Sequence, residues 1–187
     1  MKKLLFVLAL VATASFTFNT ANAQESFGSA GLEIAIPLGD FSDSGANFGI
    51  GGSGTYEIGL SENFAVLAHA GVIFYATDDF EVPTFDPNTF TFGTETVDYN
   101  VTQIPLQVGG RYYLSEQKDG LYLAALLGFH ITSVSVGDED DSSTDFSFAP
   151  EAGFFVTENI SVGVRYQIVS GDDANADYLG IRGAFNF

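Results

Sequence analysis

The chain has 187 residues, no cysteine, and 24 acidic residues against six basic ones, which gives a net charge of −18. No part of it could neutralise a row of phosphates, so this composition excludes binding to nucleic acids. Disulfide bonds are excluded as well, and the stability of the fold must come from packing or from its solvent.

The beginning of the chain has the pattern of a secretory signal peptide. It starts Met-Lys-Lys, continues with a short apolar run at Leu4–Val11, and reaches an Ala-Asn-Ala sequence that ends at residue 23. The apolar run is far shorter than the roughly 20 residues that a transmembrane helix needs. We therefore predict a signal peptide over residues 1–23, removed before Gln24, and a single domain over residues 24–187.

Beyond this leader, apolar and polar residues alternate in segments separated by turn-forming residues, and no segment has a convincing helical period. The pattern predicts eight β-strands. The predicted strands are Ser26–Pro37, Asn47–Leu60, Asn63–Ala76, Val97–Leu114, Gly120–Val136, Asp145–Val156, Ile160–Ser170 and Ala176–Phe187.

The connections between the predicted strands fall into two alternating classes. Those after the second, fourth and sixth strands are short and contain the similar sequences LSEN, LSEQ and VTEN. Those after the first, third, fifth and seventh strands are longer, and with their flanks they hold 16 of the 24 acidic residues. The longer ones are GDFSDSGA, the stretch Thr77–Thr96, GDEDDSST and GDDAN. Short turns at one end and long loops at the other are typical of transmembrane β-barrels.

Each predicted strand has one apolar face and one face of small or polar residues. Away from the strand ends, every charged residue belongs to the small or polar face, and both histidines can be placed there too. Unpaired charges are very costly in a narrow interior, whereas paired charges can be satisfied. We therefore predict a lumen filled by a balanced polar network. Its predicted members are Glu33, Glu57, His69, Gln107, Arg111, His130, Glu151, Arg165 and Arg182.

A soluble, lipocalin-like barrel is the alternative fold, because it also has eight alternating strands. Its polar face would be outside, where many lysines are expected, and its interior would be apolar. Here the polar phase consists mainly of Gly, Ser, Ala, Thr and Gln, which fits a tight interior better. The predicted fold class is therefore all-β, an eight-stranded antiparallel up-and-down transmembrane β-barrel.

Two further features of the strands carry predictions. Aromatic residues of the apolar phase fall near both ends of the strands, as expected where a barrel crosses the two lipid interfaces. The two predicted bands are Phe64, Tyr112, Phe154, Phe185 and Phe187 at the short turns, and Phe48, Phe74, Phe146, Phe148 and Tyr166 at the long connections. Pro105 and Pro150 lie inside strands and predict a bulge or a strand end, because proline cannot donate to the ladder.

The whole predicted domain resembles the small outer-membrane β-barrel proteins of Gram-negative bacteria, the OmpA/OmpX-like family. The resemblance rests on the signal ending ANA-Q, the first hairpin GLEIAIPLGDFSDSGANFGIGGSGTYEIGLSENF, and the final strand LGIRGAFNF. It implies a bacterial outer-membrane location, with membrane lipid and lipopolysaccharide as neighbours. It also implies that Phe187, with Phe185, belongs to a signal read by the barrel-assembly machinery.

The preferred function is that of a non-enzymatic structural or partner-binding barrel, because eight strands enclose only enough space for side chains. No cofactor or metal is expected, and the oligomeric state stays open. An extracellular partner would meet the acidic loops, above all Thr77–Thr96, where exposed aromatic residues could bind it. The candidate aromatic residues are Phe80, Phe85, Phe90 and Phe92. The alternative for this stretch is that it has no binding role and that the third and fourth strands simply extend above the membrane.

Two other functions stay open at this point. A narrow, porin-like pore or carrier for small molecules would need a gap in the lumen network. An enzyme that modifies lipid or peptide would need a nucleophile and a base within hydrogen-bond reach. His130 and Ser133 fall in opposite phases of one strand, so a facing pair is not evident there.

Overall fold

The computed structural model describes residues 26–77, 80–86, 90–97, 99–115, 120–137, 139–171 and 175–187. The predicted signal peptide lies outside these residues, as does most of the connection Ser115–Asp119. Within the described ranges, no helix is long and apolar enough to cross a membrane.

The described part of the chain is almost entirely β-structure, with one four-residue helix. The elements are β1 Ser26–Pro37, α1 Asp40–Asp43, β2 Ala46–Gly59, β3 Phe64–Thr77, β4 Phe80–Asp86, β5 Thr91–Val97, β6 Tyr99–Tyr113, β7 Gly120–Val136, β8 Glu139–Thr157, β9 Ile160–Ser170 and β10 Tyr178–Asn186.

Eight of these strands close into a barrel in the order β1-β10-β9-β8-β7-β6-β3-β2, and β4 and β5 form a separate two-stranded sheet. All neighbouring pairs are antiparallel, and β1 pairs with both β2 and β10. At the closing seam, Gly28 and Phe187 exchange two backbone hydrogen bonds of 3.0 and 2.8 Å. The prediction of an eight-stranded antiparallel barrel is confirmed.

The prediction of a long acidic connection after the fifth predicted strand is wrong. The corresponding strand, β8, begins at Glu139 and pairs with β7 as far as the position opposite Val136. The predicted strand begins only at Asp145, where the apolar alternation begins. A hydrogen-bonded ladder needs only extended backbone, so the acidic segment continues the hairpin beyond the apolar part.

The stretch Thr77–Thr96 also has structure of its own. It contains most of the β4–β5 hairpin, in which Phe85 is opposite Phe92, so the third and fourth barrel strands do not simply extend. The first long connection contains α1, although the sequence predicts no helix. Phe41 of this helix is only 6% exposed, so burial of one aromatic ring against the barrel mouth holds the short helical turn.

Neither interior proline produces the predicted bulge or strand end. β6 runs through Pro105 and β8 runs through Pro150 with unchanged register against β7. Pro105 has no N–H to donate towards β3. The pairing of β6 with β3 therefore has a gap there, between the pairs Ala70↔Leu106 and Ile73↔Gln103. The proline therefore interrupts one ladder locally without shifting it.

The two faces of the barrel strands are as predicted. All ten residues of the two predicted aromatic bands are exposed on the outside. The inside is so narrow that some positions have no room for a side chain. A Cβ atom added at Gly51 would lie 2.0 Å from the Val72 carbonyl oxygen, and one at Gly109 would lie 2.1 Å from that of Ala125. Only glycine permits this close approach of neighbouring strands.

Candidate functional site

The nine residues predicted for the lumen all point inward, and none is more than 7% exposed. They are Glu33 on β1, Glu57 on β2, His69 on β3, Gln107 and Arg111 on β6, His130 on β7, Glu151 on β8, Arg165 on β9 and Arg182 on β10. The strands hold these side chains at fixed heights, because each belongs to a continuous ladder on both sides.

Glu33 lies between two arginines. Its Oε1 atom accepts a hydrogen bond from Arg165 Nη2 and lies 3.7 Å from Arg182 Nε. Arg182 also donates hydrogen bonds of 2.8 and 3.0 Å to the hydroxyls of Ser53 and Ser29. Ser53 in turn donates to Glu33 at 3.0 Å, so the carboxylate has several donors around it.

The remaining charges continue from Arg165. Its Nε atom lies 3.5 Å from Glu151 Oε2, and Glu151 Oε1 lies 3.6 Å from Arg111 Nη2. Arg111 Nη1 donates a 2.8 Å hydrogen bond to Glu57 Oε2. From Arg182 to Glu57 the six side chains therefore form one line of alternating charge, which we call the ion-pair line.

His69 is held beside this line with both ring nitrogens engaged. Its Nε2 atom lies 3.0 Å from Arg165 Nη1, and its Nδ1 atom lies 3.1 Å from Thr55 Oγ1. A guanidinium group can only donate, so Nε2 must accept and Nδ1 must carry the proton that Thr55 accepts. The ring is therefore a fixed neutral link between β2, β3 and β9.

On the side of the long connections, an uncharged polar layer follows the ion-pair line. Gln107 donates to Ser147 at 3.0 Å and to Gln167 at 3.3 Å. Further out, Tyr75 donates to Gln103 Oε1 at 2.9 Å. The Gln107 bonds link β6 to β8 and β9 across the lumen, and the Tyr75 bond links the neighbouring strands β3 and β6.

The end with the short turns is closed by aromatic rings that the predicted polar network did not include. Tyr113, Tyr122 and Phe155 pack with centroids 5.7–6.4 Å apart. Tyr122 donates to Glu151 at 2.9 Å, Tyr113 donates to Glu57, and the Arg111 guanidinium lies 4.2 Å from the Tyr122 ring centre. Tyr113 shares its phase with Arg111, and this periodicity could have placed it inside.

The opposite end is closed by a second aromatic group. Phe41 packs edge-on against Tyr75 with centroids 4.8 Å apart, and Tyr75 lies 6.3 Å from Tyr178. The Tyr178 hydroxyl lies 3.3 Å from His130 Nε2, which gives His130 its place in the network. Phe41 was not predicted here, because alternation along the strands carries no information on a side chain from a loop helix.

The predicted surface residues lie apart from the lumen. Phe90 and Phe92, near the tip of the β4–β5 hairpin, are 80% and 83% exposed. The side chains of Phe80 and Phe85 lie outside the part that the structure describes. Phe185 and Phe187 are exposed on the outer face of the barrel, beside the seam with β1.

The family of the chain follows from comparison with known proteins. A model of the outer membrane protein beta-barrel domain matches residues 5–187. The chain belongs to this family. The protein is therefore a barrel of the bacterial outer membrane, and the resemblance of its sequence to small barrels of this kind is confirmed.

Solved structures of outer-membrane barrels have the same fold at low sequence identity. Neisserial surface protein A (NspA) is 15% identical, with a TM-score of 0.56 over 89% of this chain and 97% of its own. The attachment invasion locus protein Ail of Yersinia pestis is 16% identical, with a TM-score of 0.53 over 89% and 100%. OprG of Pseudomonas aeruginosa is 10% identical, with a TM-score of 0.52 over 89% and 98%. Comparison with curated proteins gives no match.

Substituting Glu33 by Gln tests the ion-pair line in this outer-membrane barrel. The change keeps the shape but leaves Arg165 and Arg182 with one fewer buried counter-charge, so we expect the free energy of unfolding to fall by about 3–5 kcal/mol. Urea unfolding in lipid vesicles, followed by the gel mobility of the folded form, measures it. Glu62→Gln in the exposed β2–β3 turn is the matched control and should change stability by less than about 0.5 kcal/mol. Equal effects of the two changes would contradict the assignment.

Proposed function

We propose that this protein is a non-conducting, non-enzymatic outer-membrane barrel whose outer end is a contact surface for an extracellular partner. The observation that carries the proposal is the filled lumen. Two aromatic groups close its ends, and the ion-pair line and the uncharged polar layer occupy the space between them.

The packing of the lumen explains why an ion should not pass. A permeating ion would have to displace side chains that are bonded to other strands of the barrel, such as Arg165 of β9, which contacts Glu33 of β1 and Glu151 of β8. Each displaced group would lose a partner in a low-dielectric interior, and breaking one buried ion pair costs about 3–5 kcal/mol. Opening the line would break several pairs at once.

The arrangement of the histidines supports a role without catalysis. Both nitrogens of His69 are engaged, and Thr55, its hydroxyl neighbour, is itself buried. His130 is buried beside Tyr178, while Ser133 belongs to the outward phase of β7. Neither histidine therefore has a facing nucleophile that an external substrate could reach.

The outer end of the barrel is its acidic end, because long loops of such barrels are extracellular. The four segments predicted as long connections, with their flanks, hold 16 of the 24 acidic residues, and the segments contain no Lys or Arg. Ail has been solved in complex with the heparin analogue sucrose octasulfate, which is an anion. For the present chain the charge argues for the opposite, a partner with a basic surface.

Among the described residues, Phe90 and Phe92 of the β4–β5 hairpin are the most exposed large apolar side chains. Phe90 has a positive φ of 55°, an uncommon conformation for a residue with a side chain. It holds an aromatic ring at the tip, next to the equally exposed Phe92. Aromatic residues are enriched among the side chains that contribute most to protein interfaces, so this pair is the proposed apolar centre of the contact surface.

Phe185 and Phe187 are proposed to mark the chain for the barrel-assembly machinery, and lipopolysaccharide is proposed as the outer-leaflet neighbour. Supporting the first proposal, both rings point away from the lumen and lie at the seam. The backbone of Phe187, not its ring, makes the closing hydrogen bonds to Gly28. The ring is therefore available to another protein during insertion.

Conductance in a planar lipid bilayer tests the closed lumen. Residues 24–187, refolded and shown to be inserted, should give no steady channels under an applied voltage. Steady channels whose conductance changes in an Arg111→Gln variant would make the lumen an ion path. In that case the narrow pore or carrier would replace the present proposal.

Adhesion of expressing cells tests the outer contact surface. Cells should bind beads coated with a basic protein and should not bind beads coated with an acidic one. The double variant Phe90→Ser, Phe92→Ser should lower this binding about fivefold, the loss expected from roughly 1 kcal/mol of interface energy. Thr94→Ser on the same hairpin should leave it unchanged. Binding that depends neither on the charge of the bead coating nor on Phe90 and Phe92 would refute the proposed contact surface.

A comparison of refolding and insertion tests the assembly role of Phe187. The Phe187→Ser variant should refold in detergent like the natural chain, yet the folded form in the outer membrane of cells should fall severalfold. Phe154→Ser is the control, because Phe154 is also an outward aromatic at the short-turn end. An equal loss of folded protein in both variants would mean that the Phe187 ring contributes lipid contact and is not recognised by the assembly machinery.

A further inference from the structure

A cavity of about 360 Å³ lies at the outer mouth of the barrel, above the aromatic group of Phe41, Tyr75 and Tyr178. We call it the mouth cavity. Its apolar walls include Phe41 of α1, Val101 of β6 and Val134 of β7. Its volume falls in the range of roughly 300–1,000 Å³ that small-molecule pockets occupy.

One polar atom that lines the mouth cavity has no hydrogen-bond partner among the described residues, and two more unpartnered atoms belong to its neighbours in the sheet. Thr132 lines the cavity, and its buried Oγ1 has none. Opposite Thr132 in the β6–β7 ladder is Gln103, whose Nε2 is also unpartnered, and two residues along β7 is His130, whose Nδ1 is unpartnered too. Buried polar groups are nearly always bonded, so the unpartnered Thr132 hydroxyl indicates that a polar group occupies the space beside it in the mouth cavity.

The charge of the mouth cavity is negative. Among the residues that line it, the charged ones are Asp40 at the rim and Asp145 on the inner face of β8. Asp145 is oriented by a 2.6 Å hydrogen bond from Ser143, which leaves its other oxygen available. Carboxylates beside low-dielectric walls concentrate the local field and attract a cation.

A bare metal ion does not fit this site. Ca²⁺ takes six to eight oxygen ligands and Mg²⁺ demands octahedral oxygen geometry. The described residues contain no group of three or more His, Cys, Asp or Glu side chains placed to hold a metal ion. Apolar walls of this size instead suit a molecule with a hydrocarbon body.

We propose that the mouth cavity binds a small organic cation, an ammonium group carried on a compact apolar body. The body packs between Phe41, Val101 and Val134. The ammonium group donates hydrogen bonds to Asp145 and to the Thr132 hydroxyl, with Asp40 adding attraction at the rim. The site lies outside the aromatic closure, so its occupation does not depend on whether the lumen conducts or on what the hairpin contacts.

The proposal is tested by NMR on the full barrel, residues 24–187, in nanodiscs of zwitterionic lipid. The probe is 2-phenylethylammonium, compared with neutral 2-phenylethanol and with the anion 3-phenylpropionate. We expect saturable amide shifts at Val101, Thr132 and Val134 with the ammonium probe, roughly tenfold weaker binding of the alcohol, and none of the anion. Equal affinity for ammonium and alcohol, or no saturable shift at these residues, would overturn the proposal.

Substitutions separate this site from general attraction to an acidic surface. Asp145→Asn should weaken binding of the ammonium probe about tenfold, since it removes a charge-assisted hydrogen bond. Asp141→Asn on the same strand, an exposed residue that does not line the mouth cavity, is the matched control and should change it less than about twofold. Thr132→Val keeps the shape and should also weaken binding. Equal losses for Asp141→Asn and Asp145→Asn, in variants shown to be folded, would refute a defined site.

Discussion

The structure depends on the pairing of charges in a lumen too narrow to hydrate them. Eight strands leave an interior that side chains fill, and a single carboxylate or guanidinium there would face the full cost of desolvation. The barrel meets this constraint with three glutamates and three arginines in strict alternation. Two of the contacts, Glu33 with Arg182 and Glu151 with Arg165, join residues that are directly opposite in their ladders. The register that closes the barrel is thus also the register that places these opposite charges next to each other.

The rest of the interior adjusts to this line. Glycines such as Gly51 and Gly109 lie where neighbouring strands come too close for a Cβ atom. Long side chains from other positions then have room to cross the lumen and meet. Tyr113 and Tyr122 extend the ionic region towards the short turns, because each ring packs like an apolar residue while its hydroxyl serves a carboxylate. The lumen therefore changes gradually from ionic to aromatic, because the two tyrosine hydroxyls bind carboxylates of the ion-pair line.

The fold and most of the lumen could be predicted, because strand alternation has a strict period of two residues. Once Glu33 and Arg182 were placed on the small and polar face, the closed geometry of a barrel left them only the interior. Strand alternation does not predict the features that backbone pairing or a tertiary contact determines. β8 extends through an acidic segment because the backbone of that segment pairs with β7. The acidic composition of the segment gives no sign of this pairing. Phe41 enters the mouth from α1 through a tertiary contact that no periodicity encodes. The mouth cavity is lined by residues from several strands and loops, so the pattern of any one segment does not predict it.

The basic residues of residues 24–187 have an uneven distribution with a practical consequence. Arg111, Arg165 and Arg182 are buried in the lumen, and Lys118 belongs to a connection on the short-turn side. None of the four segments predicted as long connections, which we propose to be extracellular, contains Lys or Arg. Trypsin cuts only after these two residues, so in the proposed orientation it has no bond to cleave in these segments on intact cells. In the proposed orientation, the confinement of the arginines to the lumen thus also leaves the outer face without a cleavage site for proteases of this specificity.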